Sequence, residues 1–278
     1  MQVNELYGNE PITIESYLAK CGGENIKVKS VPIEKRLGQE NYNNQNCLMK
    51  IVEYKNYDNI VVEFQDDYKY KTKKTYRNFI NGKIFNPFFP NVKGVGFIGD
   101  LKNSTNSIIY NCWVNMLSRC YDENFKRKHP TYQECLVCEE WHNYSNFYKW
   151  YKENYYNFNN NERLQLDKDI LIKGNKIYSP ETCCFVPKRI NSLFVKKDAN
   201  RSEVIGVRRY KNTRKWISRL LKNGKEECLG IYETKEEAFR AYKKAKEIYI
   251  KEIADNYKEI IPQKLYNAMY NYQVEITD

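Results

Sequence analysis

Residues 204–250 read VIGVRRYKNTRKWISRLLKNGKEECLGIYETKEEAFRAYKKAKEIYI, and this stretch decides the fold of the C-terminal part. Val204 to Tyr210, Arg214 to Leu221 and Glu226 to Ile231 are short segments that predict three strands. The second connection, Lys222-Asn223-Gly224-Lys225, carries the Asn-Gly pair that a two-residue hairpin turn favours, because both central residues need positive φ. Thr234-Lys235-Glu236-Glu237 is a capping box, in which hydroxyl and carboxylate cover exposed helix N–H groups. The helix that follows is expected to place Ala238, Ala241, Ala245 and Ile248 on one face, small enough for close packing on a sheet. Side chains alternate across a strand. Trp216 and Leu220 are therefore expected against the helix, with Lys215 and Arg219 pointing away from it beside Arg208 of the neighbouring strand.

Charge gives that outward face a meaning. The 278 residues hold 46 Lys+Arg against 35 Asp+Glu, a net charge of +11. Residues 188–225 alone hold thirteen basic side chains and two acidic ones, so this segment accounts for the whole imbalance. One basic stretch on an otherwise neutral chain is what a phosphate-binding surface requires, and double-stranded DNA is the expected partner. Arg208, Arg209, Arg214, Lys215 and Arg219 are the candidate DNA contacts, Arg as a fork for guanine or phosphate and Lys as a point charge.

Composition narrows the class further. No apolar run approaches the roughly 18 residues of a membrane span, and Met1 to Glu5 carry no basic, then apolar, leader pattern. Nine cysteines point to reduced thiols or metal ligands, and the expected setting is cytoplasmic, with no membrane partner and no small-molecule cofactor. The 25 tyrosines, beside abundant Asn, Lys and Ile, read as coding bias and are not taken as base-stacking residues.

The expected fold class is α+β, with a small β-rich domain over 1–100, a central ββα domain over 101–197, a three-stranded antiparallel sheet with one helix over 198–260, and a tail over 261–278. In the first block Leu48 to Tyr54, Asn59 to Phe64 and Thr75 to Ile80 read as strands. The Gly94 to Gly99 run and the polar Asn103 to Ser107 mark its boundary. In the centre, residues 108–122 and Glu139 to Tyr151 have helical periodicity. Leu166 to Val186 reads as a hairpin turning near Gly174-Asn175, and Pro187 opens a short helix. Cys135 and Cys138 form a CxxC half-site that Cys120 with Cys183 or Cys184 could complete as a thiolate zinc site. Buried thiols are the alternative.

Two resemblances extend these readings. Gly206-Val207-Arg208, Lys215-Trp216, Leu229-Gly230, Tyr232, Thr234, Glu236-Glu237-Ala238, Ala241-Tyr242 and Ala245 resemble, in order and spacing, the ethylene-response-factor (AP-two type) DNA-binding domain. That resemblance implies three strands in the major groove with a helix behind them. Glu226 and Cys228 depart from it, standing where plant members usually present a basic residue and a tryptophan.

The second concerns the centre. Arg119 to Asp122, Thr131-Tyr132, Val137 to Trp141, Phe147, Leu166-Asp167-Lys168-Asp169, Gly174-Asn175, Tyr178 to Cys183 and Asn191 resemble phage-encoded HNH-endonuclease-like proteins, which often carry an appended AP-two domain. The resemblance implies a DNA endonuclease using Mg2+ or another divalent ion. Asp167 would be the metal carboxylate, Asn175 the brace of the hairpin loop, and Asn191 lies near the last ligand position. Lys168 stands where the family's catalytic His would be. A lysine serves as base only if its pKa is depressed, and Asp167 and Asp169 would raise it. His142 could substitute for that His in space, but in a Trp-His-Asn turn it reads as a solvated residue. A non-catalytic DNA-binding regulator on the same scaffold is the competing reading, and an interaction factor acting through the first domain is a third.

Overall fold

The computed structural model describes residues 36–101, 106–158, 163–194, 204–276 and 278, which fall into two compact units divided between Asn86 and Pro87. The chain is an α+β protein. Among the described residues, no helix is long and apolar enough to cross a membrane.

In the first unit, β1 (Glu40–Tyr42), β2 (Leu48–Asn56), β3 (Asn59–Phe64) and β4 (Lys71–Lys74) form an antiparallel sheet in sequence order. The strand expected over Thr75 to Ile80 is instead helix α1 (Tyr76–Ile80). Thr75 caps it, its hydroxyl accepting from Asn78 N at 3.2 Å. Tyr76 and Phe79, three residues apart, are both buried, a spacing that suits a helix face and would split across a strand. They close a core of Met49, Ile51, Ile60, Val62, Phe64 and Ile84.

The Gly-rich run 94–99, expected at a domain boundary, belongs to the second unit and packs into it. A Cβ on Gly96 would lie 2.5 Å from Leu117 and 2.8 Å from Trp113, so the glycine permits close approach to a helix. Phe97 N donates to His142 O at 2.9 Å and Tyr144 N donates to Phe97 O at 2.8 Å. The helix approached is α2 (Ser107–Tyr121), followed by α3 (Glu123–Lys128). The helix expected over Glu139 to Tyr151 divides into a 3-10 turn (Glu139–His142) and α4 (Tyr144–Asn154), because Asn143 caps the second, its side chain accepting from Ser145 N. Trp113, Trp141, Tyr144, Phe147 and Trp150 pack together as an aromatic core.

The segment expected as one hairpin over Leu166 to Val186 is two pairings. β6 (Gln165–Asp167) runs antiparallel to β8 (Cys184–Val186), while β7 (Ile177–Tyr178) pairs in parallel with β5 (Leu136–Val137). Beyond Pro187, α5 (Lys188–Asn191) follows β8.

The last sheet has the order β11-β10-β9, from β9 (Val207–Arg209), β10 (Trp216–Lys222) and β11 (Lys225–Tyr232). Asn223 and Gly224 have φ of 51° and 79° in the β10–β11 turn. Helix α6 (Lys235–Asn256) starts at the capping box of Thr234 and Glu237. It buries Ala238, Tyr242, Tyr249, Ile250, Ile253 and Ala254, while Ile248, expected on that face, is 49% exposed. The segment expected as a tail folds into α7 (Gln263–Tyr270). Its Leu265 and Met269 share one core with Tyr249 and Ile250 of α6, Leu220 of β10, and Ile170, Cys184, Val186 and Ile190 of the ββα segment.

Candidate nucleic-acid interface

Register assigns the two faces of the C-terminal sheet. Trp216 and Leu220 pack toward α6, Trp216 beside Val207 and Ala238, and Leu220 beside Tyr242 and Tyr249. On the opposite face the cross-strand neighbours are Arg208 with Ile217, Ile217 with Ile231, Arg219 with Cys228, and Leu221 with Glu226. The register slips by one residue between Ser218 and Arg219. This bulge turns Leu229 inward to the core with Leu220 and keeps Cys228 and Glu226 beside the outward residues of β10.

Arg208 and Arg219 are therefore outward, as the parity argument expects, and Lys215, just before β10, is exposed. Leu221 and Ile231 lie on the same face, 46% and 45% exposed, and offer apolar contact of the kind a thymine methyl accepts. Arg209 does not join them. It stands opposite Trp216 and lays its guanidinium 4.5 Å from the centre of that ring, on the helix side. Arg214 is exposed in the β9–β10 turn, where its carbonyl accepts from Arg209 Nη1 at 3.2 Å. Lys196, Lys197 and Arg201, with Asp198 and Glu203, lie outside the described residues.

The outward cations are paired within the sheet, which the sequence reading missed. Glu226 accepts from Arg219 Nη1 at 2.6 Å through one carboxylate oxygen and from Arg208 Nη2 through the other. The hydrogen bond from Arg219, with the charge of Arg208, holds the Glu226 carboxyl below the usual range. Lys215 pairs with Glu233 at 2.5 Å. The signal available in the sequence was Glu226 itself, noted only as a departure from the resembled family.

In the ββα segment, Asp167 ends β6 opposite Cys184. Its Oδ1 accepts from Asp169 N at 2.9 Å and Ile170 N at 2.8 Å, which fixes the carboxylate at the strand end. Burial, together with the neighbouring Asp169 charge, raises its pKa. Asn175 braces the loop as expected, its Nδ2 donating to Lys168 O and to Ile177 O, each at 2.7 Å. Asn191 of α5 donates through Nδ2 to Gln165 Oε1 at 2.7 Å, which sets it against β6 two residues from Asp167. Its amide oxygen and the Asp167 carboxylate are hard oxygen donors of the type Mg2+ takes.

Lys168 turns inward. Its side chain is 9% exposed, and Nζ donates to Asp169 Oδ2 at 2.9 Å and to Asn175 O at 3.1 Å, between the rings of Tyr132 and Tyr178. Burial acts to lower its pKa, but the hydrogen bond and charge of Asp169 outweigh it and leave the ammonium held above its ordinary value. It braces the loop from a nearly closed site. His142 is not the solvated residue expected: it is half-buried, its Nε2 lies 3.1 Å from Tyr121 Oη, and burial lowers its pKa.

Cys120, Cys135 and Cys183 are buried in the aromatic core, with Cys138 packed against it. Burial pushes the thiols of Cys120 and Cys183 up to about 12. Among the described residues, no three His, Cys, Asp or Glu side chains are placed to share a metal ion.

No protein-family model, no curated protein and no solved structure matches this chain.

Proposed function

We propose that this protein binds double-stranded DNA through the outer face of β9, β10 and β11, as a reader of AP-two type carried on an HNH-like ββα scaffold that does not itself cleave. The observation that carries the reading is the placement of Arg208 and Arg219 on the sheet face opposite α6, with Lys215 exposed at the start of β10, within the segment that accounts for the chain's net charge. Three exposed cations on a sheet backed by a helix can follow phosphates while the strands face a groove. Against cleavage stands Lys168: where the resembled nucleases need a base, this chain holds a buried, hydrogen-bonded ammonium.

A second reading, metal-dependent phosphodiester cleavage, is favoured by Asp167, Asn175 and Asn191 in the roles the resemblance implies. Asp167 and Asn191 would hold a divalent ion, which would polarise a scissile phosphate.

Two assays test these readings. Fluorescence anisotropy on labelled duplex should show Arg208→Ala with Arg219→Ala weakening binding about tenfold or more at 0.15 M salt, and unchanged affinity would overturn the reader assignment. Supercoiled plasmid incubated with Mg2+ or Mn2+ should remain intact. Nicking that disappears in Asp167→Ala would establish the second reading instead.

A further inference from the structure

On the outer face of the C-terminal sheet, Glu226 of β11 holds Arg219 of β10 and Arg208 of β9 with its two carboxylate oxygens. The carboxylate thus ties one guanidinium from the adjacent central strand and one from the strand beyond it. Exposed ion pairs of this kind contribute little to stability, typically under about 1 kcal/mol, and side-chain exposures of 55% for Arg208, 38% for Arg219 and 41% for Glu226 put the cluster in that class. Its consequence is to be sought in what the face binds.

Two effects follow from the geometry. The cluster carries one net positive charge in place of two, which lowers the attraction for any phosphate regardless of sequence. Each guanidinium also gives up one N–H to Glu226 and keeps the rest of its fork, now held in a fixed orientation. Arg219 Nε is covered and has no hydrogen-bond partner among the described residues, and Glu226 is the acceptor that holds the group down. A fixed Arg fork loses less entropy on engaging an acceptor pair of fixed geometry, such as guanine O6 and N7. A carboxylate beside it repels phosphate, so the attractive and repulsive elements favour base edges over backbone together.

We propose that Glu226 is a specificity-determining positioning residue: it orients Arg208 and Arg219 for base edges in the major groove and suppresses sequence-independent binding to the phosphate backbone. This rests on the duplex-binding reading above.

The test uses the full chain, its near-isosteric variant Glu226→Gln, and the double variant Arg208→Ala with Arg219→Ala. A random duplex pool is first selected with the wild-type protein, and affinity for the selected and random duplexes is then measured across a salt series. Glu226→Gln should bind random duplex about fivefold more tightly at 0.15 M salt and steepen the log affinity against log salt slope by about one. It should bind the selected duplex with little gain, so that the ratio of selected to random affinity falls. Replacing guanine by 7-deazaguanine in the selected site should cost the wild type more than it costs Glu226→Gln. A random-duplex affinity and salt slope equal to those of the wild type overturn the assignment of Glu226 alone. Full binding by the double arginine variant overturns the duplex-reader assignment, and this proposal with it.

Discussion

Gly206 has φ of +70°, and a Cβ built there would lie 2.0 Å from the Tyr242 ring. Positive φ and close approach to α6 both demand glycine, which gives the Gly206-Val207-Arg208 motif a physical basis: it seats β9 on the helix so that Arg208 can face outward. Gly206→Ala should cost at least about 1 kcal/mol from backbone conformation alone, with the ring clash adding to it, and a urea melt would check this. Lys168 makes an opposite point about exposure. Its ammonium joins Asp169 and the Asn175 carbonyl from a nearly closed site, so Lys168→Ala should destabilise by about 1–3 kcal/mol. A loss within about 0.5 kcal/mol, the range of surface substitutions, would contradict the buried-brace role. That Lys168 would stay protonated was legible from its two flanking aspartates. Its inward direction was not, because it depends on Tyr132 and Tyr178, distant in sequence.

Element by element, what the sequence carried was local chemistry. The Asn-Gly turn and the Thr234 capping box are determined by neighbouring residues and stand in the structure, as does the strand alternation up to the bulge after Ser218. What it did not carry is pairing at long range. β7 leaves the expected hairpin to join β5, some forty residues earlier, and the expected tail becomes α7. For α7, the apolar residues Leu265 and Met269 recur at helical spacing, but the surface they fill is built from Ile170, Ile190 and Ile250. With both side chains fully buried, Leu265→Ala should cost about 2–5 kcal/mol. Truncation before Ile261 should uncover the same core and lower the melting temperature markedly. A truncated chain that melts with the full-length protein would contradict this role for α7.

For the second unit as a whole, the shared core has a thermodynamic consequence. Ile190 of the ββα segment, Leu220 of the sheet and Ile250 of α6 pack in one cluster, so the C-terminal sheet and the ββα segment should unfold in a single transition. Hydrogen exchange after Ile250→Ala should therefore show protection falling together in β8 and β10; loss confined to β10 would indicate independent modules. The ββα segment thereby supports the sheet through a common core. The most direct test of the sheet's outward face is the salt dependence of duplex affinity, measured by anisotropy for the wild type and for Arg208→Ala, Lys215→Ala, Arg219→Ala combined. The account predicts that wild-type log affinity falls linearly with log salt and that the triple variant loses about one unit of slope or more. Equal slopes for the two proteins would contradict it.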